Sequence, residues 1–155
     1  MLKLLIDAGA NLSWPASALN NLMFDGCLSR IIENADDELL EYALQNGAKP
    51  NASSCYGDSC TYPLAEAVKK NNMDAVRILL KHGCDVNYQD PYKANALMIA
   101  MKNNNSKLVD LLLQYGADIY KEGNDGTTLE TKTPLEYAKT INNREILALV
   151  SKYRK

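Results

Sequence analysis

Two phrases, LLKHGCDVN at 79–87 and LLQYGADIY at 112–120, stand 33 positions apart and are nearly the same. Fainter copies lie upstream, ALQNGAKPN at 43–51 and LIDAGANLS at 5–13. Each phrase is built on a glycine: Gly9, Gly47, Gly83 and Gly116. Before the glycine comes an apolar run with helical spacing, such as MDAVRILLK (73–81) or SKLVDLLLQ (106–114). A glycine there predicts a helix stop, because it enters the left-handed region without a Cβ clash. A chain that repeats a helix stop at such intervals predicts a row of similar units rather than one closed core.

A second helical signal precedes each full run: GCLSRIIENA (26–35), YPLAEAVKKN (62–71), NALMIAMKNN (95–104) and TPLEYAKTIN (133–142). Pro63 and Pro134 suit a first helical turn, where the missing N–H had no partner anyway. Asn95 and Thr133 are good N-cap types just ahead of those starts. Ala67, Ala100 and Ala138 are small enough to let this helix approach its neighbours. Cys27, Pro63 and Ala96 each lie 20 positions before their glycine, whereas successive glycines are 38, 36 and 33 apart. The helical pair therefore has a fixed length, and the variation falls in the loops between pairs.

With the period near 33, TPLEYA, YPLAEAV, HGCDVN and YGADIY resemble ankyrin repeats. The resemblance runs from Met1 to about Tyr153. It implies an all-α ankyrin-repeat solenoid of stacked helix-turn-helix units joined by projecting, hairpin-like loops. The units expected are a partial repeat at 1–13, repeats at about 26–51, 62–87 and 95–120, and a capping repeat at 133–153, in one domain over 1–155. Cys27 and Ala96 depart from the family, which prefers proline there, and Asn71 and Asn104 replace its inter-helix glycine. Asparagine also tolerates the left-handed turn. The expected stack sets Leu64, Val68, Val76, Leu79 and Leu80 against Leu97, Ile99, Leu108, Leu111 and Leu112.

Composition narrows the function classes. Charged residues are 23% of the chain, the net charge is −2 and the pI is about 5.4. That balance gives no electrostatic footprint for nucleic acid or a membrane surface. No apolar run approaches the roughly 20 residues of a membrane span. The start, MLKLLIDAGANL, turns acidic too soon for a secretory signal. Four cysteines in 155 residues are too few for a disulfide scaffold, so a cytoplasmic setting is expected, whether of the protein's own cell or of a host.

Catalytic and metal readings fare poorly. Cys55 and Cys60 frame CYGDSC in one loop, which raises a metal site or a reversible disulfide; two loop thiols are the plainer expectation. His82, the one histidine, suits the last turn of its helix, where a cation meets the dipole. Asp36 and Asp37 in NADDELLE open a helix rather than form a carboxylate pair. GNDG at 123–126 reads as a turn. No phosphate loop or nucleophile motif occurs. No enzyme activity, cofactor or metal is expected.

The tyrosines carry the positive signal. Nine Tyr stand against one Phe. Tyr42 and Tyr137 are expected in the core, while Tyr56, Tyr88, Tyr92 and Tyr120 fall in the loops and Tyr115 occupies the slot matching His82. Tyrosine is a good contact residue because it buries much area with few torsions. The resemblance adds that partners of this family usually meet the loop tips and the exposed ends of first helices. The candidate partner-binding residues are then Tyr56, Asp58, Lys69, Lys70, His82, Tyr88, Gln89, Pro91, Tyr92, Lys102, Asn103, Tyr115 and Tyr120. The expected function is protein–protein interaction without catalysis, by a monomer whose open N-terminal end (Leu2, Leu4, Ile6) is the place for any self-contact. Residues 13–25, with Trp14, are the candidate cover for that end. The alternative is a targeting or substrate-recruiting segment of a larger protein, such as a microbial host-directed effector, with its enzymatic domain elsewhere.

Overall fold

The computed structural model describes residues 27–56, 59–89, 92–128 and 130–153. The expected partial repeat with Gly9, the Trp14 segment and the open N-terminal end lie outside these residues. The chain divides into two compact units, one ending at Cys84 and one starting at Asp85. Unit one holds α1 (Cys27–Glu33), α2 (Asp37–Gln45), β1 (Ser54–Tyr56), β2 (Ser59–Thr61), α3 (Pro63–Lys69) and α4 (Met73–Lys81). Unit two holds α5 (Ala96–Lys102), α6 (Ser106–Gln114), α7 (Pro134–Thr140) and α8 (Arg144–Lys152). The expected all-α architecture of repeated helical pairs is what these residues form, with one short β-ribbon in a connecting loop.

Helix length is constant. The first helix of every described pair has 7 residues and the second has 9. The cause is local. In the first three pairs the first helix ends on a residue with positive φ: Ala35 (53°), Asn71 (54°) and Asn104 (56°). The N–H groups of that residue and the next turn back to the last carbonyls, as in Asn71 N–H to Val68 O at 3.0 Å and Asn72 N–H to Ala67 O at 3.0 Å. The next residue then caps the second helix. Asp36, Asn72 and Asn105 accept from Leu39, Ala75 and Leu108 N–H, each at 3.0 Å. Asn143 caps α8 in the same way, from Ile146 N–H at 3.0 Å, although α7 ends on Ile141 in an extended conformation.

The glycine stops behave as expected. Gly47, Gly83 and Gly116 have φ of 95°, 81° and 86°. The closure seen at Asn71 recurs at Gly83, from Gly83 N–H to Leu80 O and Cys84 N–H to Leu79 O. Pro63 and Pro134 open their helices, Asn95 caps α5, and Thr133 forms a reciprocal capping box with Glu136.

Within each unit the two pairs stack like on like. In unit one, α1 lies against α3 and α2 against α4; in unit two, α5 lies against α7 and α6 against α8. All ten aliphatic side chains expected in the core are buried, as are Ala67, Ala100 and Ala138 at 0% exposure. Helix α5 is buried from Ala96 to Met101, whereas α8 buries only Ile146 and Val150. Tyr42 and Tyr137 differ from expectation: both are half-buried rather than core, and the Tyr137 hydroxyl requires an acceptor, which Asp125 supplies.

Ala35 bears a Cβ where the left-handed turn disfavours one. Ala35→Gly is expected to stabilise the chain by up to about 1 kcal/mol, since relief of the left-handed cost exceeds the added unfolded-state entropy. Urea unfolding followed by far-ultraviolet circular dichroism measures it; an unchanged or lower midpoint contradicts the assignment.

Candidate functional site

Unit two carries two loops, 85–95 and 117–133, that hydrogen-bond to each other. Asn87 donates from Nδ2 to Gly116 O at 3.0 Å and accepts at Oδ1 from Asp118 N–H at 2.7 Å. Lys121 Nζ donates to Asn87 O at 2.7 Å, and Gln89 Nε2 donates to Glu122 O at 2.7 Å. Further along, Asn95 N–H donates to Asn124 O and Asn124 N–H to Lys93 O, both at 3.0 Å. The buried Asn124 side chain also donates to Tyr92 O. Each tie ends on at least one main-chain atom, so the backbones of the loops are held in register whatever their tips carry.

These tied loops present Tyr88 (39% exposed), Tyr92 (58%) and Tyr120 (48%), while Tyr115 (47%) is the C-cap of α6 beside Gly116. Lys102 is the exposed last residue of α5, and Asn103 follows as its C-cap. The Lys102 charge acts on Asp125 in the second loop. Burial pushes the Asp125 carboxyl up, but hydrogen bonds from Thr127 and Tyr137 and the Lys102 charge outweigh it, so the net shift is downward. Burial, then the bond to Asp125, pushes the Tyr137 hydroxyl up to about 12. GNDG is the expected turn: Asn124 Oδ1 accepts from Gly126 N–H at 2.9 Å, and Gly126 has φ 77°.

The candidates of unit one are arranged differently. Lys69 is exposed at the end of α3, and Lys70, its C-cap, lies 4.0 Å from Glu66 of the same helix. His82, the C-cap of α4, sits with Nε2 3.1 Å from Glu41 Oε1, which Lys81 Nζ also reaches at 3.1 Å. Those two partners, aided by Gln45, hold the Glu41 carboxyl at about 2, well below its ordinary 4.5. Tyr56 lies in β1, with its side chain outside the described positions; Asp58 and Pro91 lie outside the described residues.

A family model described as ankyrin repeats, in three copies, matches residues 28–123, more than half of the chain. The chain belongs to the ankyrin-repeat family. No curated protein matches it. The matched stretch begins in α1 and ends at Gly123, so the helical pair α7–α8, with the same helix lengths, lies beyond it. Ankyrin repeats are generally protein–protein interaction modules and typically non-enzymatic. In this ankyrin chain, a shallow cleft of about 430 Å³ in unit one is lined by Asp37, Glu38, Glu41, Tyr42, Gln45 and Ile78. It is open and acidic, and it brings no nucleophile to a base. Among the described residues no cluster of three His, Cys, Asp or Glu is placed to hold a metal ion, and no helix is long and apolar enough to cross a membrane.

Three groups escaped the sequence reading. Asn87 and Asn124 were not singled out as ties, and Glu41 was not paired with His82, which lies 41 positions away. Asn87 had a usable signal, because it holds the same place after its glycine as Asn51, whose Oδ1 accepts from the Cys84 thiol at 3.1 Å. The other two are long-range pairings with no local spacing to betray them.

Gly123 is buried where a Cβ would meet Gln89 Nε2 at 2.7 Å and Lys93 O at 2.9 Å. Gly123→Ala is expected to cost about 1–3 kcal/mol, because a backbone oxygen cannot step aside as a side chain does. Thermal unfolding checks this, and an unchanged midpoint counts against the tied-loop arrangement. Glu41 predicts a pH effect. Its depressed pKa favours the fold above about pH 4.5, and that contribution is lost as pH falls from 4.5 towards 2. Glu41→Gln is therefore expected to flatten the loss of stability over this range in urea titrations, while an unaltered slope would remove Glu41 as its source.

Proposed function

We propose that this ankyrin-repeat chain is a non-enzymatic protein-binding module, with its main contact surface on unit two. Tyr88, Tyr92, Tyr115 and Tyr120 are the anchoring groups, and Lys102, Asn103 and Gln89 surround them. The observation that supports this reading most is the exposure of four tyrosines at or beside two loops that are already tied together. Binding orders few new torsions when the backbone is held beforehand, so less interaction energy is lost to entropy. Lys102 suits a partner that presents an acidic patch. On unit one, Lys69 is the candidate contact, whereas Lys70 and His82 already face carboxylates of their own chain. A reducing cytoplasm is the setting proposed, on the cysteine usage argued above.

The test is a pull-down with the wild-type chain and a Tyr88→Ala/Tyr92→Ala/Lys102→Ala variant of confirmed folding. A true partner is expected to bind the variant at least about tenfold more weakly, since truncating one central tyrosine often removes more than about 1.4 kcal/mol. Partners retained equally by both chains would reject this surface.

A further inference from the structure

The β-ribbon in unit one has a register with a chemical consequence. Strands β1 and β2 run antiparallel, with Ser54 opposite Thr61, Cys55 opposite Cys60 and Tyr56 opposite Ser59. Two residues, Gly57 and Asp58, join the strands. Residues directly opposed in an antiparallel pair share a face of the ribbon, with Cα atoms about 4.5–5.5 Å apart. That separation falls inside the window of about 4.4–6.8 Å that a disulfide spans without backbone movement.

From this register we propose that Cys55 and Cys60 form a modification site, a thiol pair that closes to an intramolecular disulfide when it meets an oxidised low-molecular-weight thiol. One cysteine thiolate attacks the small disulfide, forms a mixed disulfide and releases one small thiol. The second cysteine thiolate then displaces the other small thiol and forms the Cys55–Cys60 bond. Two protein thiols are oxidised, one small disulfide is reduced to two thiols, and the two protons leave on those thiols.

The backbone favours this outcome over two separate adducts. Three-residue strands in an isolated ribbon are marginal in water, but here β1 lies against α1. Whatever the folded ribbon contributes to closing the bond, the bond returns by holding the ribbon closed. Cys84 is buried, with its thiol donating to Asn51 Oδ1, which withdraws it from exchange. The site stands whether or not the loops bind a partner, although Tyr56 of β1 is one of the candidate contacts.

The experiment equilibrates the native full chain in buffers of graded reduced-to-oxidised glutathione ratio, quenches with acid and alkylates the remaining thiols after unfolding. Intact mass and peptide mapping are expected to show a chain two hydrogens lighter, with two of its four cysteines blocked and the bridge joining Cys55 to Cys60. Cys60→Ser is expected to lose the bridge and to gain a glutathione adduct on Cys55. The closure constant is expected to be at least about tenfold larger for the native chain than in denaturant, because the ribbon raises the effective concentration of one thiol at the other. Glutathione adducts without a bridge, a bridge to Cys27 or Cys84, or equal constants in the two conditions would each overturn the proposal.

Discussion

A helix of seven or nine residues does not persist alone in water, because nucleation costs more than so few hydrogen bonds return. Every helix described here depends on its ends and on a neighbour. The ends are economical, since one residue serves two helices. The N–H of Asn72 closes α3 on Ala67 O, and its side chain opens α4 at Ala75 N–H. Asp36 and Asn105 serve their own pairs in the same way. With no spare residue between the two helices, their lengths cannot drift. An α-helix turns about 100° per residue, so one added residue would swing the following apolar stripe away from its partner. Constant length is what keeps Val76 and Leu79 facing inward in α4 and Leu108 and Leu112 facing inward in α6.

That dependence explains how much was legible in the amino-acid sequence. Gly83 and Gly116, Pro63 and Pro134, and Asn95 and Thr133 all act through their own backbone or the next few residues. Their meaning is local, and the helices end and begin where they stand. Asn71 and Asn104 were legible as left-handed turns for the same reason. Ala35 was not, since nothing about alanine announces a positive φ; there the packing of α1 against α2 and α3 overrides an unfavourable local preference.

What stayed hidden is non-local. Asn87, Gln89 and Asn124 meet partners about 30 positions away, and Glu41 meets His82 across two helical pairs. Tyr137 shows the difficulty in one residue. Its helical position pointed to the core, yet a phenol must also place its hydroxyl, and the turn that brings Asp125 within 2.9 Å decides where the ring ends up. The candidate contacts were legible only as a residue type in a loop. Nothing local says that Lys70 faces Glu66 and His82 faces Glu41, while Tyr92 and Tyr120 stand open to solvent.

The loop ties also bear on how such a surface can change without losing its fold. Asn87 reaches Gly116 O and Asp118 N–H, Gln89 reaches Glu122 O, and Asn124 reaches Tyr92 O. The partner in each case is a main-chain atom, which any side chain leaves in place. Residues at Tyr92 and Tyr120 can therefore be exchanged without cutting these bonds, whereas Gly123, pressed against Lys93 O, cannot. Backbone recognition thus separates the residues that hold the loops from those that face outward. On the proposed surface, specificity is set at the tips while the supporting asparagines and the buried Gly123 stay fixed.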